Sequence, residues 1–72
     1  MPARAAAIFA DNVRRIRIER EMTQEQLGWA CQLHQTAVAR IESNERSPGL
    51  TTILKLARGL EVAPAELFAG ID

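Results

Sequence analysis

The stretch that most constrains the fold runs from Thr23 to Ile41, TQEQLGWACQLHQTAVARI. It holds two short helical patterns separated by a break around Gln32, with apolar positions at Leu27, Cys31, Leu33, Val38 and Ile41. Thr23 followed three residues later by Gln26 forms a capping box: the hydroxyl takes a backbone donor of the first turn and the amide returns to the cap. Met22 and Leu27 stand at the two positions of a hydrophobic staple, which fixes how the chain enters this helix. The second pattern begins near His34 or Gln35. Leu33 and Val38 form the equivalent staple, although His34 is a poorer cap than Ser or Thr.

Helices this short are not stable alone, because nucleation is costly and a helix of fewer than ~12 residues is marginal in water. They must lean on each other and on the rest of the chain. Gly28 leaves room for the second helix to cross close over the first. That is the geometry of a helix-turn-helix, whose second helix enters the major groove of DNA. Any helical hairpin could share the apolar spacing, so periodicity alone leaves DNA binding as one reading among several.

MTQEQL followed by VARIESNERSPGLTTILKLARGLEV resembles the phage repressor and Cro type of helix-turn-helix, also called the xenobiotic response element family. The likeness runs from about Phe9 to Phe68, nearly the whole chain. It implies one all-α domain over residues 1–72, a compact five-helix bundle of the lambda-repressor-like kind with its helix-turn-helix core at about 23–42. The sequence departs from the family at the turns. Glu21, Gln32 and Glu61 stand where glycine is common for a left-handed backbone, and only Asn44 is a natural substitute.

Composition fits a small helical domain. Seventy-two residues are near the lower size for a self-sufficient core. No run of alternating β-branched residues argues for a strand. Cys31 has no partner for an internal disulfide and reads as a small core residue in a reducing compartment. With no signal peptide or membrane-length apolar stretch, the expected location is the cytoplasm. Nine basic residues balance nine acidic ones, whereas DNA-binding domains often carry a basic excess. The distribution is less even, since residues 1–20 hold five Arg against Asp11 and Glu19. DNA binding with this balance requires the cations to share one face, and long-range steering is weak.

In chain order, Pro2 to Glu21 reads as the first helix, with Phe9, Val13 and Ile16 in one buried stripe. Glu42 to Gly49 (ESNERSPG) is a turn-rich loop. Leu50 to Leu60 reads as the fourth helix, with Leu50, Ile53, Leu54, Ala57 and Leu60 turned inward and Gly59 as a weak point. The fifth helix is expected to open at Pro64, stapled by Val62 and Leu67, with Glu66 in the first turn where the helix dipole favours negative charge.

Catalytic chemistry is not expected. His34 and Cys31 alone cannot make a zinc site, and no phosphate-cradling loop or nucleophile elbow is present. No cofactor, metal or small-molecule ligand is implied. What the residues offer is DNA contact. On a helix entering the groove, Gln35, Thr36, Ala37 and, one turn on, Arg40 meet base edges; Gln pairs with adenine, Arg with guanine, and Thr or Ala methyls touch thymine. The bland alternative is that these residues solvate a surface helix.

The resemblance implies contacts to DNA phosphates from Gln24, Asn44 and Arg46, and a structural ion pair between Arg17 and Glu42. Leu67, Phe68 and Ile71 end the chain without a later segment to cover them and are expected at a dimer contact. Trp29 lies off the main core face, either packed on a neighbouring helix or open to a partner. The expected function is a sequence-specific transcriptional regulator binding double-stranded DNA as a homodimer on an inverted-repeat operator. Its small size resembles Cro-like repressors and the controller proteins of restriction–modification systems. The alternative is a protein-interaction module such as an antitoxin, using Trp29 and the C-terminal apolar residues.

Overall fold

The structure is a computed structural model and describes residues 2–72. Four α-helices follow one another: α1 (Ala3–Glu19), α2 (Gln24–Cys31), α3 (Gln35–Glu42) and α4 (Leu50–Leu60). A single 3-10 helix, Pro64–Phe68, ends the chain, in place of the fifth α-helix that the sequence suggests. Pro64 opens it, and the backbone turns away at Ala69 and Gly70, leaving too few residues for an α-helical ladder. No strand occurs among the described residues.

The connections share one construction. α1, α2 and α4 each end on a left-handed residue: Glu21 (φ 55°), Gln32 (φ 59°) and Glu61 (φ 58°). After each comes an apolar residue whose N–H reaches back into the helix just left. Met22 N–H donates to the Arg17 carbonyl (3.1 Å), Leu33 N–H to Gly28 (2.8 Å) and Val62 N–H to Ala57 (3.0 Å). This is the Schellman closure, which satisfies carbonyls that the helix itself cannot. The same three apolar residues then serve as the outer half of a staple for the next helix, after the extended caps Thr23, His34 and Ala63. Their staple partners Leu27, Val38 and Leu67 are all fully buried. EMT, QLH and EVA are therefore one three-residue joint used three times: left-handed, apolar anchor, cap. α1 accordingly stops at Glu19 rather than Glu21.

α3 ends the same way, with Asn44 left-handed at φ 62° and Glu45 N–H donating to the Arg40 carbonyl at 2.9 Å. Here the chain runs on as a longer loop, with Gly49 capping α4.

The core gathers Phe9, Val13 and Ile16 of α1 with Leu27, Val38, Ile41, Leu56, Leu60 and Leu67 from the other elements. Phe9 and Phe68 stack at a tilt with centroids 5.3 Å apart. α4 turns differently from expectation. Ile53, Leu56, Ala57 and Leu60 are its buried stripe, while Leu50 and Leu54 are 73% and 49% exposed. The spacing 53, 56, 57, 60 is a complete helical face; Leu54 falls off it and Leu50 precedes the turn that meets the core.

Gly59 is a point of close approach rather than only a weak spot. A Cβ there would lie 2.3 Å from Cys31 Sγ and 3.2 Å from the backbone of Ala30, so only glycine lets α4 cross α2 at this distance. Gly28 does the same work between α2 and α3, where a Cβ would sit 2.6 Å from the Leu33 carbonyl oxygen.

Candidate nucleic-acid interface

α3 is short and amphipathic. Val38, Ile41 and Glu42 are buried, whereas Gln35, Thr36 and Arg40 are exposed and Ala37 and Ala39 are half-buried. These exposed residues form one continuous outer face, because positions 36 and 40 lie one turn apart and 35 adjoins 36. The start of this helix is fixed by its own cap. His34 Nδ1 accepts a hydrogen bond from Thr36 N–H at 3.0 Å, so the imidazole performs the role that Ser or Thr usually takes. Gln35 and Thr36 are thereby held at the first turn, with Gly28 beneath them.

α2 begins beside this face. The Thr23–Gln26 capping box is complete, with Thr23 Oγ accepting from Gln26 N–H (3.0 Å) and Gln26 Oε1 accepting from Thr23 N–H (2.8 Å). Gln24, the first helical residue, is half-buried, and its Nε2 donates to Glu42 Oε1 at 3.2 Å.

Glu42 is the junction of the region. Arg17 Nε donates to Glu42 Oε2 at 2.7 Å and Arg17 Nη2 to Oε1 at 3.0 Å, a bidentate pair. Arg17 Nη1 also donates to the Met22 carbonyl at 2.7 Å. A carboxylate this buried requires such partners, and no buried side-chain polar atom among the described residues lacks one. The Arg17–Glu42 pair thus ties together the end of α1, the α1–α2 joint, the start of α2 and the end of α3. The spacing of residues in sequence gives no sign that Gln24 reaches Glu42.

Asn44 and Arg46 are exposed in the loop after α3. Ser43 Oγ donates its one proton to Glu45 Oε2 (2.6 Å), with the Arg40 carbonyl a second acceptor within reach at 3.2 Å, which stiffens the loop's first turn. Among the described residues the ion pairs are Arg15–Glu19 and Arg17–Glu42, leaving Arg40 and Arg46 outside any pair.

The C-terminal residues are placed otherwise than expected. Leu67 is completely buried and cannot touch a second molecule; as the inner half of a staple it belongs to the core. Phe68 and Ile71 are half-buried against their own chain, Phe68 on Phe9 and Ile71 beside Ala5 and Ile8. Asn12 holds this segment down, its Nδ2 donating to the Leu67 and Ala69 carbonyls at 2.9 Å each. An Asn within an apolar stripe is the signal that could have located this clasp.

Trp29 is 70% exposed and borders a shallow cleft with Glu25, Leu33, His34 and Gln35. Cys31 points the opposite way, into the α2–α4 contact. Burial pushes its thiol pKa up to about 11, partly offset by a hydrogen bond from the Gly59 backbone. The sulfur and the exposed His34 ring are therefore not brought together.

The profile of the family described as "Helix-turn-helix" matches residues 13–67. Control protein C.BamHI of Bacillus amyloliquefaciens is 38% identical over 61 residues, covering 83% of this chain and 75% of the relative. Control protein C.SmaI of Serratia marcescens is 37% identical over 60 residues, covering 83% and 71%. The crystal structure of the restriction-modification controller protein C.AhdI from Aeromonas hydrophila superposes with a TM-score of 0.85 at 33% identity, covering 88% of this chain and 96% of that one. Sequence and fold agree: the chain belongs to the helix-turn-helix family and, within it, to the control proteins typified by C.BamHI.

Proposed function

We propose that the protein is a sequence-specific DNA-binding regulator of transcription, acting as a homodimer on an inverted-repeat operator that controls a restriction–modification system. The observation that carries this reading is the outer face of α3. Gln35, Thr36 and Arg40 stand exposed on a helix whose other side is anchored by Val38, Ile41 and Glu42. Gln and Arg there can address adenine and guanine edges, with the Ala37 and Thr36 methyls available to thymine. Gln24 at the start of α2, and Asn44 and Arg46 in the following loop, supply phosphate contacts on the same edge. No catalytic step is part of this function, and the cytoplasm is where such a regulator works. No helix among the described residues is long and apolar enough to cross a membrane.

The dimer is proposed to form through α4 rather than the C-terminal residues. Leu50 and Leu54 lie four residues apart on one face and are among the most exposed large apolar side chains. α4 packs on α2 and α3 on α2 and α1, so joining two copies through α4 leaves both recognition helices free. A molecule of 29 × 21 × 20 Å paired in this way can span the ~34–36 Å between successive major grooves.

The test is a gel shift with duplexes selected from a random pool, at stated salt. Enrichment of an inverted repeat supports the proposal. Trp29 motivates a second reading, an antitoxin-like module that binds a partner protein through this exposed ring; failure to enrich any DNA sequence would favour it.

A further inference from the structure

We infer that Glu42 is a positioning residue for DNA: its carboxylate pre-sets the Gln24 amide on the DNA-facing edge and couples the start of α2 to the end of the recognition helix. The inference rests on the reading of Gln24 as a backbone contact. Three donors converge on this buried group, Arg17 Nε and Nη2 and Gln24 Nε2. Arg17 neutralises the charge, so a carboxylate can stand behind the phosphate-facing edge without repelling DNA. Gln24 uses one Nε2 proton on Glu42 and keeps the other. Thr23 Oγ takes the Gln26 N–H, which leaves the Gln24 and Glu25 backbone N–H groups as the open donors of this turn.

A free glutamine side chain loses rotamer freedom when it meets a ligand. Held by Glu42, Gln24 has lost that freedom before DNA arrives, which is how pre-organisation raises affinity. Because Glu42 lies in the last turn of α3, a shift of the recognition helix also moves the group that orients Gln24. Backbone positioning and base readout are therefore set by one junction.

The experiment is a double-mutant cycle read as DNA affinity by fluorescence anisotropy. Arg17→Met/Glu42→Leu removes the carboxylate together with its partner, so no charge is stranded and net charge is unchanged; such replacements are commonly tolerated. Gln24→Ala should weaken binding by about fivefold in the native background, the equivalent of one ordinary hydrogen bond. Arg17→Met/Glu42→Leu should itself weaken binding, and Gln24→Ala should then cost less than about twofold more. In the free protein, the Gln24 side-chain amide should give a rigid ¹⁵N relaxation signature that becomes mobile in the Arg17→Met/Glu42→Leu variant. Equal losses from Gln24→Ala in both backgrounds, or an unchanged amide signature, would overturn the positioning role while leaving Gln24 as a contact. No loss from Gln24→Ala in the native background would overturn both. If the double variant does not fold, Arg17→Leu/Glu42→Met, which likewise removes both charges and leaves no acceptor for Gln24, carries the same cycle with the same outcomes.

Discussion

Glu21, Gln32 and Glu61 occupy backbone angles where a Cβ crowds the following carbonyl, at about 1–2 kcal/mol for an ordinary residue. Replacing each with glycine removes that crowding but gives the unfolded chain more freedom, which offsets part of the gain. The net expectation is stabilisation by about 0.5–1 kcal/mol per site, read as a higher urea midpoint, with Asn44→Gly gaining least because Asn tolerates this region. Cys31 supplies a second expectation. Its raised pKa means that the folded state holds the thiol proton more tightly than the unfolded chain, whose value is near 9.0. That contribution is complete below pH 9 and is lost as pH rises towards 11, so stability should fall across this window. A Cys31→Ala variant should lack this component of the alkaline decline in thermal melts. Of the left-handed turns only the one at Asn44 was legible from its own residue; at Glu21, Gln32 and Glu61 the sequence left the geometry open, because a glutamate or glutamine does not by itself signal a left-handed backbone. The His34 cap was only half legible, since whether a ring nitrogen faces an N–H depends on a rotamer.

At the scale of elements, the three repeated joints decide where helices stop and how they cross. Their staples can be read from sequence, and Leu27, Val38 and Leu67 are the positions they bury. Leu67 was also expected at a dimer contact, and these two readings conflict. The staple prevails because a residue four places after a cap points inward whether or not chain follows it. Leu50 and Leu54 failed in the other direction: α4 is rich in leucine, and a helix with more apolar residues than one face can hold does not reveal which will stay outside. The junction at Glu42 gives the prediction for this scale. Glu42→Ala strands the Arg17 guanidinium in a largely buried position, where breaking a pair costs ~3–5 kcal/mol. For a domain of this size that corresponds to a fall of roughly 10–40 °C in melting temperature. Glu45→Ala, which removes an exposed carboxylate bonded only to Ser43, is the control and should shift it by only a few degrees. Similar shifts for both would remove Glu42 from its central place.

The whole molecule has no net charge, and Arg15 and Arg17 are already paired within the chain. Association with DNA should therefore depend on local contacts from Arg40 and Arg46 more than on a long-range field, and the salt dependence should be modest. Dimerisation should raise affinity by engaging both half-sites together. Leu50→Asp and Leu54→Asp should each yield monomers by light scattering that keep their helical circular dichroism, since neither side chain is in the core; dimers that persist in both would move the interface elsewhere. The site of DNA contact is tested most directly by titrating wild type, Arg40→Ala and Arg46→Ala against a selected operator, its single-base variants and an unrelated duplex at several salt concentrations. Arg40→Ala should lose about 1–3 kcal/mol on the operator with discrimination relaxed at one base pair, while Arg46→Ala should weaken all duplexes alike and lower the salt slope by about one unit. If Arg40→Ala weakened operator and unrelated DNA equally, the exposed face of α3 would not be what reads the sequence.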